Sequence, residues 1–156
     1  SRWQRDRAGG VGAVYGRGNR TEAPLMKRNM DLIRELLFLI ENHPVSNPIP
    51  AEEILIDGYD DVQIGLHMNM IHDAGLIVAE TANSKTNPNR TIRVILVFDL
   101  SWKGHDYLSS IRDPEIWKKT KAFAAKAGNS SFDLMIEIAK SLAKQALGQL
   151  GLPVGN

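Results

Sequence analysis

Four histidines, His43, His67, His72 and His105, are the side chains of this sequence best suited to binding a metal or moving a proton near neutral pH. Their spacing does not gather them. His67 and His72 lie five residues apart, which is about 140° around a helix, whereas a shared zinc needs the i, i+4 spacing that puts two imidazoles on one face. The acidic pairs Glu52-Glu53 and Asp60-Asp61 are adjacent and point apart, so they read as solvated charge and helix capping. The absence of cysteine removes thiolate nucleophiles, disulfides and cysteine-ligated zinc, and suits a reducing compartment. Gly9, Gly10, Gly12, Gly16 and Gly18 follow no apolar strand and precede no Gly-Lys-Ser/Thr, so they do not make a phosphate loop. Serine-hydrolase and zincin motifs are absent as well. The expectation is a protein with no cofactor, no metal and no catalytic centre, whose function lies in its surfaces.

The chain is long enough for one compact domain with a modest core: 156 residues, 43% hydrophobic and 24% charged. No apolar run approaches the roughly 20 residues of a membrane span, and the opening lacks the apolar block of a secretory signal. A cytoplasmic protein is expected. The net charge of +1 conceals three regimes. Residues 1–26 carry five basic and two acidic side chains, residues 27–113 carry eight and thirteen, and residues 114–156 carry six and three. The middle is therefore acidic, and it offers no obvious basic patch of the kind that supplies phosphate affinity to nucleic-acid-binding domains.

Residues 1–25 mix arginine and glycine without a period of 2 or 3.6. They read as a flexible leader, either appended or an upstream extension. From Asn29, a capping residue, Met30, Ile33, Leu36, Leu37 and Ile40 share a helical face that Pro44 brings to an end. Residues 53–56 are a short strand candidate stopped by Asp57-Gly58. Asp60 with Gln63 forms a capping box that opens a second helix over 61–74, closed by Gly75. Two apolar runs, 76–80 and 92–98, read as antiparallel strands joined by a long polar tip. Ser101 caps a third helix over 102–111. Asp113, with Pro114 at the favoured first position, opens a fourth that Gly128 stops. Its expected buried stripe is Ile116, Trp117, Thr120, Phe123, Ala124 and Ala127. Trp102, Trp117 and Phe123 read as packing anchors. A fifth helix, from Ser130 or Ser131 to about 148, has an apolar arc of about 220°, wider than the one-sided helix needs. One flank should meet the body of the same chain or another copy.

Helix, short strand, helix, then a hairpin with a polar tip is the element order of a winged helix. The expected architecture is α+β, a winged helix-turn-helix-like domain over 26–113 with two additional C-terminal helices over 114–152. The phrase His67-Met68-Asn69-Met70-Ile71-His72-Asp73-Ala74-Gly75-Leu76-Ile77 is similar to a recognition helix turning into its wing in small bacterial regulators. Three further segments, Met26-Lys27-Arg28-Asn29-Met30-Asp31-Leu32-Ile33-Arg34, Leu100-Ser101-Trp102-Lys103-Gly104-His105 and Ile111-Arg112-Asp113-Pro114-Glu115-Ile116-Trp117, resemble those of domain-of-unknown-function family 2513, which is bacterial and phage-associated. The resemblance implies a winged-helix-like domain with C-terminal helices, suggests Met26 as the native start, and carries no catalytic residues over.

On the second helix Ile64, His67, Met68, Met70, Ile71 and Ala74 fall inward, leaving Val62, Gly65, Leu66, Asn69 and His72 outward. That outer face holds no Lys or Arg. Asn69 and Gln63 are its only base-reading side-chain types, while Val62 and Leu66 suit a protein partner. Duplex DNA, if bound, would meet Lys85, Arg90 and Arg93 on the wing together with Lys27 and Arg28. Leu134, Ile138 and Leu142 mark the C-terminal helices as a homodimer surface. Two readings stand: a non-enzymatic, DNA-associated winged-helix regulator or phage accessory factor, and a protein-interaction or dimerisation module that does not touch DNA.

Overall fold

The computed structural model describes residues 27–44 and 46–151. The leader expected over 1–25 lies outside them, as does Leu152. The described chain is α+β: five α-helices and a three-stranded antiparallel sheet of order β1-β3-β2. In chain order these are α1 (Met30–Glu41), β1 (Ile49–Pro50), a single 3₁₀ turn (Ala51–Glu53), α2 (Asp61–Asp73), β2 (Ile77–Asn83), β3 (Thr91–Leu100), α3 (Trp102–Ile111), α4 (Pro114–Ala127) and α5 (Phe132–Gln149).

Capping chemistry sets the helix boundaries. The side chains of Asn29, Ser101, Asp113 and Ser131 each accept a backbone N–H from the first turn of their helix. Asp60 and Gln63 form the reciprocal box expected of α2. At the far end of α2, Gly75 at φ 79° lets the Leu76 N–H reach the Ile71 carbonyl and the Gly75 N–H reach that of His72, a Schellman closure. The chain then turns directly into β2.

The core gathers the inner stripe of α1 (Leu32, Ile33, Leu36, Leu37, Ile40), the inner face of α2 (Ile64, Met68, Ile71), the inward sheet residues Ile77, Val94, Val97 and Leu100, and Tyr107, Leu108 and Ile111 of α3. Burying each large side chain contributes about 1.5–3 kcal/mol. Tyr107 packs edge-on against Phe132, with ring centres 5.1 Å apart. Its hydroxyl is buried with no hydrogen-bond partner among the described residues, and burial raises its pKa far above the usual phenol range.

Three expectations need correction. Residues 53–56 do not form the short strand, because Ile49 and Pro50 take the place beside Val97 and Leu96 of β3. Proline tolerates that two-residue edge, where it gives up no central ladder bond. Ile54 is buried as a plug while Leu55 points to solvent. Of the three expected anchors only Trp117 is buried; Trp102 is 89% exposed and Phe123 50%. Ala127, in the last turn of α4, is exposed too. The polar tip is also shorter than expected, because the strands extend to Asn83 and from Thr91.

A set of polar braces fixes the C-terminal helices to α1. The Arg34 guanidinium donates from Nε to the Ile111 carbonyl (3.0 Å) and from Nη2 to that of Arg112 (2.8 Å), satisfying carbonyls at the end of α3. It lies over the Phe38 and Trp117 rings. Trp117 donates its indole N–H to Asp31 (2.8 Å), which also pairs with Lys121 (2.9 Å). Arg112 holds Glu41 through two bonds, at 3.0 and 2.6 Å. The segments 27–34 and 111–117 thus meet in one corner. In segment 100–105, Ser101 donates its hydroxyl to the Gly75 carbonyl, and its backbone N–H donates to that of Leu76. Gly104 presses against the same peptide, where an added Cβ would stand 2.0 Å from the Leu76 oxygen.

Gly104→Ala therefore forces α3 off the hairpin, with an expected loss of about 3 kcal/mol or more, readable as a lower urea midpoint. The braces also set an acid limit. Burial pushes the Asp31 carboxyl up, but hydrogen bonds from Lys121 and Trp117 outweigh it and hold the group below its ordinary value. Hydrogen bonding from Arg112 does the same for Glu41. Both carboxyls titrate lower folded than unfolded, so their contribution is complete above the ordinary carboxylate range and disappears as pH falls through the depressed values. Stability measured by urea unfolding should fall between about pH 5 and pH 2, with a shallower fall in Glu41→Gln.

Candidate partner-binding groove

The α2 helix reaches the sheet through two polar side chains and leaves an apolar groove beside them. His67, buried to 1% exposure, accepts the Asn29 N–H at Nε2 (2.8 Å) and meets the Gln63 carbonyl at Nδ1 (2.8 Å). The network assigns the ring hydrogen to Nδ1. His67 thus satisfies a core position and ties the chain entering α1 to α2. Two residues along, Asn69 spans the free edge of β3: its Nδ2 donates to the Ile92 carbonyl (3.1 Å) and its Oδ1 accepts the Val94 N–H (2.9 Å). A side-chain amide here supplies the donor and acceptor that a neighbouring strand would supply, and it closes an edge that β1 is too short to cover.

Between that seam and the 3₁₀ turn lies a cavity of about 420 Å³. Its buried lining is Ile54, Ile64, Met68 and Val94, and its exposed lips are Val62, Leu66 and Ile92, at 48%, 37% and 56% exposure. Gly65 lies in the α2 wall, and an added Cβ there would meet no atom within 4 Å. A mid-helix glycine costs about 0.5–1 kcal/mol relative to alanine, and no internal contact asks for it. Glu52 also lines the groove.

The structure brings the expected residues Val62, Leu66 and Asn69 together here, with Arg93 between Ile92 and Val94 in the facing wall. Val62 and Leu66 are exposed as expected. The amides of Asn69 and Gln63 both make internal bonds, Asn69 to β3 and Gln63 to the Asp60 N–H. Lys85 and Arg90 stand exposed at the hairpin tip, remote in sequence from Lys27 and Arg28. Arg28 lies over the Phe132 ring at 5.9 Å, 3.5 Å from the Ser130 hydroxyl. The expected phosphate contacts are thus divided between the wing and the start of α5. Ile138 and Leu142 line a second groove with Phe123, while Leu134 is half-buried outside it. Among the described residues, no three His, Asp or Glu side chains are placed to hold one metal ion, and no helix is long and apolar enough to cross a membrane.

Sequence reading missed the Asn69 seam and the groove itself. The available signal was a lone glycine and two apolar residues on the outer face of an otherwise amphipathic helix.

These features define a small α+β protein with an apolar groove beside its second helix. The chain belongs to the family described as Hypothetical protein (DUF2513), which matches residues 27–130. It is 29% identical over 128 residues to an uncharacterized protein of Haemophilus influenzae (strain Rd), a span covering 80% of this chain and 98% of that one. No solved structure matches it.

Replacing Asn69 with alanine strands the Ile92 carbonyl and the Val94 N–H at the sheet edge. An expected loss of about 1–3 kcal/mol should accompany faster amide exchange at Val94 than at Val97.

Proposed function

We propose that the protein is a partner-binding module of winged-helix-like shape, which takes a short apolar peptide segment carrying basic residues into the groove between α2 and β3. The observation that carries this reading is the character of the α2 outer face. In a DNA-reading winged helix the exposed face of that helix presents Arg, Lys or free amides to base edges. Here it presents Val62, Gly65 and Leu66, without Lys or Arg, and its two amides are tied to the fold. A contiguous apolar groove with a few polar groups at its margin is the usual form of a peptide or ligand site. Gly65 leaves room for a partner's backbone to approach α2. Basic residues in the partner are favoured by Glu52 in the groove lining and by the excess of acidic side chains over 27–113, which outweighs Arg93 in the facing wall.

The DNA-associated reading depends on Lys85, Arg90 and Arg93 of the wing, and salt dependence separates the two. Selection of short random peptides on the full chain should return apolar sequences containing Lys or Arg. Their binding should be lost in Leu66→Glu, weakened in Gly65→Ala and kept in Lys85→Glu/Arg90→Glu. Gly65→Ala should meanwhile raise the urea midpoint, because the helix gains about 0.5–1 kcal/mol. Random-sequence duplex bound at about 50 mM salt, lost in Lys85→Glu/Arg90→Glu and indifferent to Leu66→Glu, would replace this reading with the DNA one. A selection yielding no peptide sensitive to Leu66→Glu would also overturn it.

A further inference from the structure

The strand β3 does not alternate. Against β2 it pairs Leu100 with Ile77, Asp99 with Val78, Val97 with Ala79, Leu96 with Glu80, Val94 with Thr81 and Arg93 with Ala82. Three register shifts leave Phe98, Ile95 and Ile92 without a partner. Each is a bulge, one extra residue on the bulged strand. The sequence follows the same period of three as Ile92-Arg93-Val94, Ile95-Leu96-Val97 and Phe98-Asp99-Leu100. The last residue of each triplet is buried, and the first two turn away from the core. The outer face of the hairpin therefore carries an exposed apolar row, Ile92, Ile95 and Phe98, at 56%, 37% and 42% exposure, beside the column Arg93, Leu96, Asp99. Directly paired residues share a face, so β2 adds Val78, Glu80 and Ala82 to this side, with Val78 50% exposed. Among the described residues the helices pack on the opposite, inner face.

This surface matches its own rotated image. A two-fold axis across the strands at Leu96 reverses β3, setting Leu96 against Leu96 and Arg93 against Asp99 of the second copy, with Ile95 of each copy beside the axis. On β2 the same rotation sets Val78 against Ala82. Only Glu80, the ladder partner of Leu96, sets like charge against like. We infer that the outer face of the β2–β3 hairpin is a dimerisation surface, on which a second copy of this chain packs sheet to sheet with antiparallel strands. The occupant follows from charge: a column running from Arg93 through Leu96 to Asp99 is complementary to itself in that orientation, and an isologous contact makes the pair twice. Aligned packing of two such faces is an ordinary sandwich arrangement. The surface is separate from the C-terminal helices, where Ile138 and Leu142 line the other groove.

Sedimentation equilibrium of the full chain tests the inference. The wild-type chain should dimerise. Arg93→Asp and Asp99→Arg should each weaken the dimer by about 10-fold or more, because each places like charges together twice. Arg93→Asp/Asp99→Arg should restore it. Ile95→Lys should abolish it, with the thermal unfolding transition retained since Ile95 is outside the core. Glu80→Gln should tighten it by removing the one mismatched pair. A wild-type monomer at high concentration, a double variant no better than the singles, or a dimer broken by Leu142→Glu and untouched by Ile95→Lys would each overturn the inference.

Discussion

The architecture depends on how Arg34 closes the corner between α1 and the end of α3. A helix C-terminus leaves carbonyls without partners, and two of these, Ile111 and Arg112, point at the guanidinium of Arg34. That cation is planar, and it sits on Phe38 and Trp117 while its edge donates to the carbonyls. Lysine offers neither the fork nor the stacking plane. Once the corner is closed, Trp117 reaches Asp31 and Arg112 reaches Glu41, so the direction of α4 is set by α1. The α5 helix then packs along α4 and α3, with Met135 and Ala139 buried. The family resemblance carried by the segments around Arg34 and Trp117 is therefore physical at this point: those residues hold one joint of the fold.

Most of the fold was legible because it is written in local chemistry. Asn29, Asp60, Ser101, Asp113 and Ser131 are short polar side chains placed before apolar stripes, and each caps the helix it precedes. Gly75 and Gly128 adopt positive φ at helix ends, as their positions implied. What escaped reading depended on partners distant in sequence. The choice of Ile49 and Pro50 over residues 53–56 for the edge was made by Val97 and Leu96, about fifty residues away. Trp102 has the composition of an anchor, yet as the first residue of α3 it projects outward, because Gly104 and Tyr107 face the core. The period of three in 92–100 was visible in the letters, but it matches no regular strand, whose side chains alternate with a period of two.

The candidate groove was half legible for a related reason. Helical spacing alone places Val62 and Leu66 on the outer face of α2, and the absence of Lys and Arg there needs no coordinates. The opposite wall comes from β3, whose edge is free only because β1 is two residues long. The depth of the groove comes from Ile54, which enters the core after the 3₁₀ turn. No pattern within α2 announces either contribution.

The seam made by Asn69 links these observations. A sheet edge with unpaired backbone groups invites another strand, and natural proteins blunt such edges. Here a helix side chain does so, which places α2 within hydrogen-bonding distance of β3 and commits its amide to the strand backbone. An amide with both oxygen and nitrogen committed to the backbone cannot also make the paired contact with adenine that would give it a role in base reading. The bond that fastens the hairpin to the helix thus leaves Val62, Gly65 and Leu66 as the side of α2 that lines the groove. The same bulges that turn Ile92 outward bring it to the lip of the groove. Edge closure, groove wall and outer apolar row are three consequences of one irregular strand.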